Sequence, residues 1–124
     1  MTEVQKSKIA VVTGATGGMG KEIVANLAVD HHVYALGRDQ SKLDELVAAH
    51  GDAVTAVAVD LAEELDAMDT VLPALERVDV LVNGAAIAHA LSVDSARVAD
   101  WREHMELNVY VPAELTREIG RAHV

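Results

Sequence analysis

Four short apolar runs, Ile9 to Val12, Val33 to Leu36, Val54 to Val59 and Val78 to Val82, are rich in β-branched residues and nearly unbroken by polar ones. A strand with one wet face alternates apolar and polar side chains. An unbroken run is the pattern of a strand covered on both faces, as in a parallel sheet. The stretches between the runs carry helical spacing: Ile23 and Leu27; Leu43, Leu46 and Val47; then Leu65, Met68, Leu72 and Leu75. The order is βαβαβαβ. Parallel neighbours need right-handed crossovers, so the strands are expected in the order 3-2-1-4, a doubly wound α/β sheet with helices on both faces. Beyond the fourth run the chain reads as helical, with Trp101 and Met105 and then Val111, Leu115, Ile119 and Ala122 marking apolar faces. Pro112 lies inside that pattern. It has no N–H for the carbonyl of Asn108, four residues back, so a kink is expected there with that carbonyl left free.

The 124 residues fit one domain, 1–124, and the 51% hydrophobic content is ample for a single core. The formal charge of −10 has the wrong sign for following a nucleic-acid backbone or an anionic membrane surface. There is no cysteine, hence no disulfide and no thiolate metal site. The opening MTEVQKSK is polar and runs into an apolar stretch too short for a signal peptide or a membrane span, and a soluble, cytoplasmic chain is expected. His31 and His32 should point to opposite faces of a strand, no HExxH spacing occurs, and no metal site is expected. The acidic groups Asp44-Glu45, Glu63-Glu64 and Asp66 read as solvated helix faces.

Between the first strand and the first helix stands Thr13-Gly14-Ala15-Thr16-Gly17-Gly18-Met19-Gly20. A pyrophosphate site needs a tight turn, a backbone free of Cβ atoms where the ligand approaches, and a helix N-terminus whose N–H groups and dipole attract an anion. Glycines after a strand and before a helix supply all three, which makes the fold a partial Rossmann-type sheet built to hold a dinucleotide. The spacing differs from G-x-G-x-x-G.

With Thr13, Gly14, Gly18 and Gly20 in the pattern TGxxxGxG, the chain resembles the short-chain dehydrogenase/reductase family in its shorter, non-extended form. Gly17 also satisfies TGxxGxxG, the pattern of the extended, epimerase-like branch. The resemblance implies that the loop backbone and Thr16 hold cofactor phosphates, with Met19 packed beside them. It implies that Asp60, followed by Leu61 at the end of the third strand, meets the adenine amino group; capping of the next helix is the equally weighted reading of the same aspartate. Val82-Asn83-Gly84-Ala85-Ala86 is similar to the family's NNAG, with glycine for the second asparagine and alanine for the glycine, and its small side chains suit a backbone lying against a ribose. Leu107-Asn108-Val109 resembles the segment of the family's active-site asparagine, whose main-chain carbonyl holds a water of the proton relay, so Asn108 is the candidate catalytic residue.

The end of the second strand, Leu36-Gly37-Arg38-Asp39, bears on cofactor choice. An acid there accepts from ribose hydroxyls, whereas an arginine pairs with a 2′-phosphate. Arg38 comes first in reach, which favours NADP over NAD, although it also reads as a solvated turn residue before a helix capped by Asp39 or Ser41. The family's Tyr-x-x-x-Lys pair is absent: Tyr110 is followed four residues on by Glu114, and Tyr34 with Arg38 lies on a strand. The chain therefore reads as the cofactor-binding half of a carbonyl reductase or alcohol dehydrogenase, inactive alone, ahead of the segment bearing that pair. The alternative is a non-catalytic dinucleotide-binding or cofactor-sensing module. Because the Val78–Val82 strand and the Val111, Leu115, Ile119 stripe would lack their usual cover, a homo-oligomer is expected.

Overall fold

The structure, a computed structural model, describes residues 8–75 and 77–122; the polar N-terminal segment 1–7 and the side chain of Ala122 lie outside the described residues. Strand β1 (Lys8–Thr13) is followed by α1 (Gly18–Leu27), β2 (His31–Gly37), α2 (Gln40–His50) and β3 (Val54–Ala58). Two short helices, α3 (Leu61–Glu64) and α4 (Met68–Val71), lead to β4 (Val80–Asn83). The chain ends in α5 (Val98–Met105), a π-helical turn over Glu106–Tyr110, and α6 (Val111–Ala122). The four strands are parallel in the order β3-β2-β1-β4. This is the doubly wound arrangement expected of the apolar runs.

Those runs are unbroken because alternate residues of each strand enter two different cores. Ala10, Val12, Val33, Ala35 and Val54 pack with Val24 of α1 and Leu43 and Leu46 of α2 on one face. On the other, Val11 and Leu36 pack with Leu61, Met68 and Leu72 beneath α3 and α4, and with Val111 and Leu115 of α6. Leu43 is fully buried, so truncating it to alanine would cost about 2–5 kcal/mol.

Three features depart from the sequence-based expectation. The third crossover is not one helix from Leu65 to Leu75: a 3-10 turn at Leu65–Ala67 separates α3 from α4, and the helix ends before Pro73, which has no N–H to continue it. Met68 and Leu72 are nevertheless buried, as their i, i+4 spacing requires. The distortion near Pro112 takes the form of a π-helical turn in which the Val111 N–H reaches the Glu106 carbonyl, leaving Pro112 in the first turn of α6, where its missing donor is harmless. The stripe of α6 is covered by the sheet, with Val111 and Leu115 buried, while the exposed apolar stripe lies on α5 at Val98, Trp101 and Met105. No helix among the described residues is long and apolar enough to cross a membrane.

Candidate functional site

The carboxyl ends of the four strands converge where the order reverses, at the boundary between β1 and β4. This is the crevice in which open α/β sheets take ligands. The first wall is the turn from β1 into α1. Gly14 adopts φ +64°, and a Cβ there would lie 2.5 Å from the carbonyl carbon of Gly84. A Cβ on Gly20 would lie 2.0 Å from the carbonyl oxygen of Gly14. These two glycines are required by the close passage of protein backbone. At Gly18 a Cβ would meet nothing within 4 Å, and at Gly17 only the Gly14 carbonyl at 3.6 Å. The protein's own packing does not require either of these two positions to be glycine.

The helix behind this loop is also uncapped. Gly17 is its N-cap and offers no side chain, and no acidic residue stands in the first turn, so the leading N–H groups have no side-chain acceptor. The other strand-to-helix junctions differ. Asp39 caps α2, accepting from the N–H groups of Ser41 at 3.0 Å and Lys42 at 3.2 Å and from the Ser41 hydroxyl at 2.9 Å. The Ser41 hydroxyl first, then the Lys42 N–H, hold its carboxyl below the usual aspartate range. Asp60 caps α3, accepting from the Ala62 N–H at 3.1 Å while its own N–H donates to the Glu64 carboxylate at 2.9 Å. Capping, one of the two readings weighed for Asp60, is what its side chain does in the structure.

Thr13, buried at the end of β1, ties the first loop to the fourth. Its hydroxyl accepts from the N–H groups of Gly84 and Ala85, each at 3.0 Å, and lies 3.4 Å from the Val82 carbonyl to which it donates. Glycine is forced at position 84, where a Cβ would stand 2.5 Å from the Thr13 carbonyl oxygen. Farther along, the Asn108 side chain grips Ile87 with both ends of its amide, its Oδ1 accepting from the Ile87 N–H at 2.9 Å and its Nδ2 donating to the Ile87 carbonyl at 2.8 Å. The His89 N–H donates to Nε2 of His104 at 3.1 Å.

Together these loops enclose a cavity of about 600 Å³, within the range of small-molecule sites. Of the residues singled out in the sequence, Gly14, Thr16, Gly17, Arg38, Asp60, Leu61, Gly84 and Ala85 line it. Gly18, Met19 and Gly20 belong to the first turn of α1 beside it, with Met19 79% exposed. Asn83 closes β4, and Asn108 acts on the lining through Ile87. Arg38 is exposed and, among the described residues, has no carboxylate partner within ion-pair distance. The two histidines of β2 are occupied elsewhere: His31 lies 2.7 Å from the Asp30 carboxylate, and His32 lies 2.7 Å from the Thr55 hydroxyl.

The sequence reading passed over Ile87, His89 and Glu103, which also line the cavity, as does Leu107 beside Asn108. Ile87 and His89 carry no motif, and this stretch is held by its backbone, at Ile87 by the side-chain amide of Asn108, 21 positions away, and at His89 by the ring of His104.

The profile of the short chain dehydrogenase family matches residues 8–123. A short-chain type dehydrogenase/reductase of Sinorhizobium fredii, itself uncharacterized, is 34% identical over 96% of this chain and 47% of its own length. A solved short-chain dehydrogenase from Streptomyces avermitilis is 34% identical with TM-score 0.83, over 98% of this chain and 45% of that one. The L-sorbose reductase of Gluconobacter frateurii, solved with NADPH and L-sorbose, is 29% identical with TM-score 0.82, over 95% of this chain and 48% of that one. The chain spans about half the length of the relatives it matches.

Proposed function

The chain belongs to the short-chain dehydrogenase family, and from that premise we propose that its cavity holds a nicotinamide dinucleotide, NADP(H) in preference to NAD(H), as the cofactor site of a carbonyl reductase or alcohol dehydrogenase. The observation that carries this reading is the pairing of an uncapped helix N-terminus, edged by Gly17 and by Gly18 with open space in place of its side chain, with Arg38 on the same cavity, free of a carboxylate partner among the described residues. The pyrophosphate lies at the first turn of α1, against Thr16, Gly17 and Gly18, with Met19 and Gly20 in the same turn. Arg38 pairs with the 2′-phosphate. Asp39 next to it is already engaged as the cap of α2, which weakens its claim to the ribose hydroxyls that mark an NAD site.

Asp60 and Leu61 stand at the adenine end, and an aspartate that caps with one oxygen retains another for an amino group. Asn83, Gly84 and Ala85 lie along the ribose and nicotinamide end, held there by Thr13. When bound, the cofactor supplies the hydride. The contribution of Asn108 is to fix the Ile87 segment with its side chain and to offer its main-chain carbonyl to a water, since Pro112 has no N–H to claim it.

The sequence contains no Tyr-x-x-x-Lys pair, so we expect the polypeptide to bind cofactor without turning it over by itself. For quaternary structure we propose a homo-oligomer, on the strength of the exposed stripe on α5, and for location the cytoplasm. Titration with NADPH and NADH, followed by nicotinamide fluorescence and thermal shift, tests the central reading. Saturable binding with NADPH the tighter ligand is expected, and no binding of either overturns it.

A further inference from the structure

Two side chains on one helical face hold the chain that leaves β4. Asn108 binds the Ile87 main chain, and His104, four residues earlier, binds the His89 main chain, two residues later. The second rung is an imidazole, whose role as donor or acceptor depends on where its protons sit. Nδ1 of His104 lies 2.7 Å from the Asp100 carbonyl, which only accepts, and Nε2 lies 3.1 Å from the His89 N–H, which only donates. Those partners define one species, the neutral imidazole with its proton on Nδ1.

We propose that His104 is a positioning residue whose neutral imidazole latches the His89 main chain, holding the wall of the dinucleotide cavity and releasing it on protonation. A protonated ring carries a hydrogen on Nε2 that faces the His89 N–H, so the bond is replaced by opposed donors. Ile87 and His89 both line the main cavity, so the latch bears on its shape. A smaller cavity of about 240 Å³, lined by Leu91, Val93 and Trp101, also has His89 and His104 in its lining. The titratable and charged groups around the ring are His89, whose ring meets it edge-on at 5.2 Å, and, from its own helix, Asp100 and Glu103. The Asp100 carboxylate accepts from the Arg97 N–H at 2.8 Å, and Glu103 stands 3.9 Å from Nε2 of His89.

The effect on cofactor rests on the dinucleotide reading of the cavity, whereas the latch does not, and the tests separate them. Nitrogen NMR of the ring at about pH 7.5 should show His104 neutral with its proton on Nδ1; the opposite tautomer overturns the proposal. The protection of the His89 amide against hydrogen exchange should fall about two- to tenfold on acidification. His104→Gln, whose amide oxygen accepts at any pH, should remove that fall. His89→Gln keeps the amide and removes the second imidazole, and the protection of that amide should still fall on acidification. Protection independent of pH in the parent, or falling equally in His104→Gln, overturns the latch. With NADPH, the ratio of parent to His104→Gln affinities should drop in acid, a comparison in which the titration of the 2′-phosphate cancels; a flat ratio overturns the link to the cavity. If neither protein binds NADPH, the dinucleotide reading falls, while the tautomer and exchange data still decide the latch.

Discussion

Gly14 and Gly18 stand four residues apart in one loop, and replacing them should break different things. At Gly14, alanine would have to adopt φ near +64°, which costs a residue with a Cβ about 1–2 kcal/mol. Its methyl would also stand 2.5 Å from the Gly84 carbonyl carbon and oxygen and 2.8 Å from the Ala85 nitrogen, all main-chain atoms held in place by Thr13. Relieving such an overlap costs about 1–3 kcal/mol, for a total of roughly 2–5 kcal/mol and a fall in Tm of about 10–20 °C. At Gly18 there is open space and ordinary helical φ, so Gly18→Val should stay within about 1 kcal/mol of the parent. Its isopropyl group fills the approach to the helix N-terminus, and NADPH binding should be lost. The assay is a thermal melt with and without NADPH: at about a hundred times Kd the parent gains roughly 2.7 kcal/mol from the ligand, and Gly18→Val should gain none. A Gly14→Ala protein that melts with the parent, or a Gly18→Val protein that binds like it, would refute this division of roles.

Arg38→Ala should weaken NADPH by about 1–3 kcal/mol, the loss of a charge-assisted pair, and leave NADH nearly unchanged; equal losses in paired titrations would remove the arginine from the 2′-phosphate. Asp39→Ala should lower Tm at neutral pH. The folded-state pKa of Asp39 is depressed, so its contribution is complete above the unfolded aspartate value near ~3.9 and disappears as pH falls through the lower folded value. Melts of parent and variant should therefore converge in acid, and a gap that widens there would contradict the cap. The homo-oligomer proposed on the exposed stripe of α5, where Trp101 is 64% exposed, should be weakened by Trp101→Glu, lowering the sedimentation coefficient at micromolar concentration, and an unchanged coefficient would clear this face of that role.

Much of the fold was legible in residue order alone. Unbroken β-branched runs call for strands covered on both faces, and Ala10 with Val12 against one helical layer and Val11 against the other show why no polar residue interrupts them. The glycine loop was equally legible, since only a strand-to-helix turn that admits close backbone approach needs so many glycines in so few positions. Local sequence also announced the caps, because Asp39 and Asp60 act on N–H groups two or three residues away.

What the sequence did not show were the relations between residues far apart in the chain. Gly14 and Gly18 look alike in a motif, yet one is opposed by Gly84 and the other by open space, and that difference exists only once β4 lies beside β1. Asn108 was marked by its carbonyl, while its side chain is engaged with Ile87; His104, unmarked, holds His89. The exposed face proved to belong to α5 and the covered one to α6, because periodicity identifies an apolar stripe but not the surface that meets it. The sequence alone determined the order of the strands and main helices and marked the glycine loop between β1 and α1, since those follow from interactions within a few residues. Which glycines the fold itself requires, which loops wall the cavity and which stripe stays exposed were decided by tertiary packing, where atoms distant along the chain exclude or bind one another.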